Sequence, residues 1–215
     1  MEKQQTQHNA SWPRYVYAND GGREVNGAVD AILMASGFSS RYPAGDKLLL
    51  PFRGMPLAEY ALKLACSLPE LARVYFVAAQ PGVLALADGY SAVAVENRRP
   101  ERGVRESIRL GVTLSDVDYY LFFPCDQPLL DGETVRSVLA CRAPGRIVIP
   151  VCGSRPGNPV LFHAAFREEL LSLSDGESGR AVRARHPEAA RTVSVPDARV
   201  FEDIDNEADY IRLLN

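Results

Sequence analysis

Two cations and two carboxylates, far apart along the chain, carry the chemistry that can be read from it. Arg41 and Lys47 lie in the stretch 31–51, AILMASGFSSRYPAGDKLLLP. An apolar run ends there in the small, hydroxylated turn Ala35-Ser36-Gly37-Phe38-Ser39-Ser40. A strand that ends in such residues exposes backbone N–H groups, and Gly37 lets a ligand approach them closely. A guanidinium and an ammonium beside that nest supply charge for several phosphate oxygens at once. The stretch reads as a polyphosphate loop; the competing reading is a surface loop with two solvated cations. It is neither of the two best-known phosphate loops. Asp46-Lys47-Leu48 stands where the Walker pattern needs Gly-Lys-Ser/Thr, and no G-x-G-x-x-G follows the first strand.

The carboxylates are Asp126 and Asp205. Asp126 sits between Pro124 and Pro128, directly after the apolar run Tyr119-Tyr120-Leu121-Phe122-Phe123. Flanking prolines restrict the backbone, which suits a carboxylate held in one direction. A turn aspartate bonding its own backbone is the plainer alternative. Asp205, in the acidic turn Glu202-Asp203-Ile204-Asp205-Asn206, reads first as the N-cap of the last helix. Magnesium prefers one or two carboxylates plus substrate phosphate oxygens to a full protein cage. The inventory therefore suggests metal-assisted phosphoryl or nucleotidyl transfer. The chain has three histidines, His8, His163 and His186, the latter two expected on helices. A hydroxyl nucleophile needs a general base, whereas a phosphate monoester, with a second pKa of about 6, is already largely dianionic at pH 7. A His-poor site favours a phosphate attacking a nucleotide.

These groups need a scaffold that brings them together. Helical spacing of Leu57, Tyr60, Ala61, Leu64, Ala65 and Leu68 predicts a helix, with Pro56 in its first turn. The run 73–79 is a strand covered on both faces, and 92–95 a shorter one. Residues 103–114 read as a helix with Val104, Ile108, Gly111 and Val112 inward. The run 119–123 should be the central strand, and Asp131 should cap the following helix, which buries Val135, Val138 and Leu139. Strands are expected at 146–151, 160–162 and 192–195, with a helix near 164–173. A Gly-rich loop at 175–180 should precede a further helix, and Tyr210, Leu213 and Leu214 should pack from the last one. Strands alternating with helices predict an α/β fold with a mostly parallel sheet covered by helices on both faces. Ligands bind such sheets beyond the carboxyl ends of the strands, where the Gly37, Asp126 and Asp205 turns would meet.

Residues 1–28 read as a polar, mobile extension whose sticky cluster is Trp12, Tyr15, Val16 and Tyr17, and 29–215 as one domain. Net charge of -3 leaves no basic footprint for a nucleic acid polymer, and no run is long and apolar enough for a membrane. The four cysteines form no C-x-x-C pair, which argues against a zinc site or a disulfide framework and for a reducing, cytoplasmic setting. Cys125, with no histidine near it in sequence, reads as a buried spectator.

Taken together, the motifs resemble the MobA-like nucleotidyltransferases. The signature runs from Met34-Ala-Ser-Gly-Phe-Ser-Ser-Arg41 through Lys47-Leu-Leu-Leu-Pro51 to Pro124-Cys-Asp-Gln-Pro128 and Asp203-Ile-Asp205. The spaced Gly103, Ser107 and Gly111, the segment 157–162 and the loop 175–180 complete it, from about residue 29 to the end. The resemblance is nearest to the molybdenum cofactor cytidylyltransferases and the molybdenum hydroxylase accessory proteins. The guanylyltransferase branch typically has Gly-Gly where this chain has Ser36-Gly37. The resemblance implies a three-layer Rossmann-like nucleotidyltransferase fold and Mg²⁺-dependent transfer of CMP from CTP to molybdopterin, with Mn²⁺ as the alternative ion. It implies Arg41, Lys47 and Asp126 as catalytic residues, and a nucleotide site built also from Ala35, Ser36, Gly37, Ser39, Gly103 and Ser107. Gly157, Asn158, Ser178, Gly179 and Arg180 would face the pterin phosphate, and Asp126 and Asp205 would hold the metal. An apo molybdenum hydroxylase is the implied recipient. Lys47 follows Arg41 by six residues rather than the family's usual five. Rival readings are GTP or a sugar or polyol phosphate on the same machinery, and a non-catalytic molybdenum cofactor chaperone.

Overall fold

A computed structural model of the chain describes residues 27–36 and 46–214. The apolar run at the start forms β1 (Val29–Ala35), followed by a hairpin of β2 (Pro51–Phe52) and β3 (Met55–Pro56), then α1 (Glu59–Cys66). β4 (Arg73–Ala78), α2 (Pro81–Leu84), β5 (Val93–Glu96) and α3 (Val104–Leu114) follow, then β6 (Tyr119–Pro124) and α4 (Gly132–Ala140). The last third contains β7 (Ile147–Cys152), β8 (Arg155–Pro156), β9 (Val160–His163), α5 (Arg167–Leu171), α6 (Gly179–Arg185), β10 (Ala190–Ser194) and α7 (Glu207–Leu214).

The main sheet has the order β10-β7-β9-β6-β1-β4-β5, with β8 paired to β7. β1 runs parallel to both neighbours, in register Leu33↔Phe76 and Leu33↔Phe123. The most apolar strand, β6, is central, as its sequence predicts. Alternation along β1 sends Ala31, Leu33 and Ala35 to one face, where they pack with Leu62, Val83, Val135, Val138 and Leu213. Ile32 goes to the other face, with Ile108, Val112, Leu170 and Val182. Helices α1, α2, α4 and α7 thus cover one side and α3, α5 and α6 the other, which makes three layers. Parallel strands buried on both faces are the reason β1, β4 and β6 lack polar alternation.

β9 departs from the parallel arrangement. After β7 the chain turns back through β8, so 160–163 enters between β6 and β7 antiparallel to both. Pro56 does not start a helix: it pairs with Pro51 across the hairpin, which turns at Arg53 (φ 44) and Gly54 (φ 95). Val104 and Leu214 are exposed rather than inward. His163 ends β9, where its Nδ1 accepts from the Ala165 N–H at 3.0 Å, and His186 follows α6, so neither lies within an α-helix. Asp131 caps α4 as expected, accepting from the Thr134 N–H at 2.8 Å.

Residues 1–26, with the Trp12 and Tyr15–Tyr17 cluster, lie outside the described residues, as do Gly37, Ser39 and Arg41. Gly27 and Ala28, assigned to the extension, are described. The Ala28 N–H donates to Asp118 Oδ2 at 3.0 Å and its carbonyl accepts from Tyr119 N at 3.1 Å. Among the described residues no helix is long and apolar enough to cross a membrane.

Candidate active site

Lys47 begins a short 3₁₀ turn, Lys47–Leu49, whose cap is Asp46 accepting from the Leu48 N–H at 3.0 Å. Burial of Leu48 and hydrogen bonds from Leu57 N to Leu50 O and Ala58 N to Leu48 O tie this turn to the hairpin and α1. The base of the lysine is therefore fixed, and its four-carbon stem carries the ammonium to the carboxyl ends of the strands. There Nζ donates to Asp126 Oδ2 at 2.9 Å, to the Ile204 carbonyl at 2.8 Å and to Asp205 Oδ1 at 3.1 Å. The side chain of Lys47 is 11% exposed, that of Asp126 24% and that of Asp205 49%, so the cluster opens to solvent on the Asp205 side.

Asp126 is held by the turn that ends β6, and Asp205 is brought to it by backbone bonds. The Ile204 N–H donates to the Asp126 carbonyl at 3.0 Å, and Gln127 Nε2 to the Phe201 carbonyl at 3.2 Å. Downstream, Tyr210 Oη donates to the Pro51 carbonyl at 2.6 Å, and Arg53 Nη2 to the Leu213 carbonyl at 3.0 Å. The N-cap expectation for Asp205 fails: Asn206 Oδ1 accepts from the Asp209 N–H at 3.0 Å and does the capping. That leaves the Asp205 carboxylate available to Lys47.

The electrostatics follow from the geometry. Burial works to lower the Lys47 pKa, but Asp126 and then Asp205 outweigh it and hold the ammonium above its ordinary value. Asp203, open to solvent over much of its surface, has its carboxyl pushed up by partial desolvation and then by Asp205 and Asp126. Burial raises the Cys125 thiol well above its usual range, so it is a protonated spectator. The donor set at Nζ, two carboxylates and a carbonyl, is made of hard oxygens and suits Mg²⁺ or Mn²⁺ completed by phosphate oxygens. Among the described residues no group of three or more His, Cys, Asp or Glu side chains could hold a metal unaided.

Beside this cluster lies a cavity of about 320 Å³. All five residues expected to face an acceptor, Gly157, Asn158, Ser178, Gly179 and Arg180, line it. Pro124, two residues before Asp126, lines it too, so the cavity lies at the same end of β6 as the cluster. Gly157 is there for close packing as well: a Cβ would lie 2.2 Å from Phe201 Cδ1. Ser178 caps α6, accepting from the Arg180 N–H at 3.3 Å, so Gly179 and Arg180 open a helix rather than belong to the preceding loop. Arg105 of α3 moors that loop, donating to the Leu173 carbonyl at 3.0 Å and pairing with Asp175.

The remaining described residues expected at the nucleotide are more scattered. Ala35 and Ser36 are buried, and Ser36 Oγ donates to the Val77 carbonyl at 3.1 Å, so that hydroxyl is committed to the sheet. Gly103 opens α3 with φ 70, a left-handed conformation that favours glycine. Ser107 is buried one position before Ile108, which lines the cavity. Sequence reasoning missed three groups. The Ile204 carbonyl has no side-chain signal at all. Arg183 lines the cavity and is buried; its signal was a second arginine one helical turn after Arg180. Val104 was assigned inward to the core and instead lines the cavity.

Residues 31–190 match the MobA-like NTP transferase domain. The chain is 30% identical over 197 residues to a nicotine blue oxidoreductase of Paenarthrobacter nicotinovorans, covering 86% of this chain and 96% of the relative. It is 27% identical over 201 residues to a molybdenum cofactor guanylyltransferase of Ralstonia nicotianae, covering 86% and 95%. Among solved structures, a nucleotidyl transferase from Methanothermobacter superposes with a TM-score of 0.77 at 21% identity, over 86% of this chain and 95% of that one. A Mycobacterium tuberculosis protein solved with manganese gives 0.69 at 22% identity, over 87% and 98%. The chain belongs to the MobA-like NTP transferase domain family, and is a nucleotidyltransferase.

Proposed function

We propose that the protein transfers CMP from CTP to the phosphate of a molybdopterin-type acceptor and releases pyrophosphate. The observation that carries the reading is the placement, at the same end of β6, of the Lys47–Asp126–Asp205 cluster and of a cavity lined by Arg180 and Arg183. The acceptor's phosphate oxygen forms a bond to the α-phosphorus of CTP as the bond to the β-phosphate oxygen breaks. No proton need be removed from a dianionic phosphate, which suits a site with no histidine among its described residues. Lys47 and Arg41 balance charge on the leaving pyrophosphate, and Gly37 and Ser39, with the backbone of Ala35 and Ser36, hold the triphosphate. Gly103 and Ser107 lie toward the base. Positioning and charge stabilisation, rather than covalent chemistry, supply the rate. Asp126 and Asp205 would hold Mg²⁺, which when bound neutralises charge on the phosphate oxygens.

The cavity lining supports a ring-bearing anion as acceptor. Met34, Val104, Ile108, Phe122, Val160 and Phe162 offer apolar wall, and two guanidiniums offer charge, with no carboxylate among the described lining residues. A sugar or polyol phosphate would want more polar groups than Asn158 and Ser178 provide. GTP as donor is the second reading, and it rests on the Ralstonia relative. Mn²⁺ is the alternative ion, in line with the mycobacterial manganese complex. A cytoplasmic setting and delivery to an apo molybdenum hydroxylase belong to the same proposal.

The test is pyrophosphate release from each of the four nucleoside triphosphates, with Mg²⁺ and molybdopterin present. CTP is expected to turn over fastest. Preference for GTP would move the reading to the second one. Turnover only with a sugar phosphate would overturn the acceptor. Redox turnover of an electron donor, with every triphosphate inert, would favour the activity for which the Paenarthrobacter relative is named.

A further inference from the structure

We infer that Lys47 is also a gate on the metal site: its ammonium stands between Asp126 and Asp205, and nucleotide must draw it away before a divalent ion can enter. The inference rests on the proposal that these two carboxylates are the metal ligands. The geometry carries it. Oxygens from two segments far apart in sequence, Asp126 Oδ2, Ile204 O and Asp205 Oδ1, stand 2.8–3.1 Å from one nitrogen. Mg²⁺ lies about 2.0–2.1 Å from its oxygen ligands, so these oxygens cannot close on the ion while Nζ remains among them. Two cations would also face each other across a few ångströms beside a largely buried ammonium, where water screens them only in part.

The lysine has the means to move. Its backbone is fixed by the Asp46 cap and the buried Leu48, while its stem is flexible. A triphosphate offers the ammonium other anionic oxygens and offers the incoming ion its remaining ligands. Nucleotide and metal therefore bind with positive coupling, and the coupling is reciprocal. Loss of pyrophosphate lets Lys47 return to the carboxylates and expel the ion. The lysine thus keeps the empty site from holding a metal that has no substrate.

The test is Mn²⁺ binding to the full chain, stripped of metal, read by electron paramagnetic resonance of free Mn²⁺ without nucleotide. Lys47→Met and Lys47→Gln should bind one Mn²⁺ at least about tenfold more tightly than wild type. Adding Asp126→Asn to either variant should remove the gain. Equal or weaker binding by the variants overturns the gate. If neither variant folds, wild type decides alone: Mn²⁺ binding in the micromolar range without nucleotide overturns the gate, and binding only near millimolar supports it. Tight binding by wild type and variants alike sinks the gate and leaves the metal assignment standing. No binding by the variants sinks the gate alone, and no protein-dependent binding by wild type with CTP present sinks the metal assignment as well.

Discussion

The cluster around Lys47 and the cavity beside it solve opposite electrostatic problems. In the cluster one ammonium answers two carboxylates, at 2.9 and 3.1 Å, so the acidic charge is compensated in part from within the protein. In the cavity Arg180 and Arg183 stand one helical turn apart on α6, with no carboxylate among the described lining residues. Burial and the neighbouring Arg180 charge both press the Arg183 guanidinium below its ordinary pKa. One region must be rearranged to work, whereas the other is set for an anion to enter. On the proposed function the chemistry belongs to the first and acceptor choice to the second, and substitutions can separate them.

The largest effect should come from the cluster. Asp126→Asn should lower turnover at least ~100-fold, measured as pyrophosphate release with saturating CTP and Mg²⁺, by analogy with loss of a preorganised electrostatic group. Near-normal turnover would remove Asp126 from the chemistry. In the cavity, Arg183→Gln should raise the acceptor KM about 10-fold or more while leaving the KM for CTP nearly unchanged, since a charge-assisted hydrogen bond is worth about 1.5–3 kcal/mol. If both KM values rose together, the two regions would not be separable.

How far the sequence discloses these two regions differs in a physically sensible way. The 119–123 and 73–79 runs disclose the sheet because strands buried on both faces need continuous apolar sequence. Lys47 and Asp126 could be paired as opposite charges in two turns that follow strands. Asp205 could not be separated from a helix cap, because Asp and Asn serve that role equally well and the neighbour Asn206 takes it. The Ile204 carbonyl was invisible, as every residue has one. Pro56 was misread because proline suits both a helix start and a hairpin edge, and the Arg53–Gly54 turn decides between them. Val104 kept helical spacing with the core, but it stands at the end of α3 where the sheet gives way to the cavity.

Packing sets a smaller effect that sharpens the comparison. Gly157→Ala would drive a Cβ to 2.2 Å from the Phe201 ring, and Phe201 is the residue whose carbonyl receives Gln127 and Arg155. Overpacking of this kind costs roughly 1–3 kcal/mol. For a chain of this size the thermal midpoint should fall by roughly 2–4 °C per kcal/mol. Because the same segment carries Asp205 to Lys47, turnover should fall along with acceptor affinity. An unchanged melting temperature would mean that Phe201 yields without strain.

The smallest effect should come from α3, which carries Ser107 beside Ile108 of the cavity wall. Glu106 on its first turn is buried, and Arg109 bonds both its carboxylate oxygens, at 2.6 and 3.1 Å. Those bonds outweigh burial, and with the Arg109, Arg102 and Arg99 charges they hold the Glu106 carboxyl below its ordinary range. A depressed folded-state pKa contributes stability that is fully present above the unfolded value, about 4.3, and is lost as pH falls through the folded one. Arg109 and Arg102 are each about 40% exposed, so water screens the pairing and the contribution should be about 1 kcal/mol. Denaturant unfolding of wild type against Glu106→Gln should show a constant margin above about pH 5 that closes as pH drops below about 4.3. A margin that persists undiminished in acid would mean that Glu106 holds α3 through its shape and packing rather than its charge.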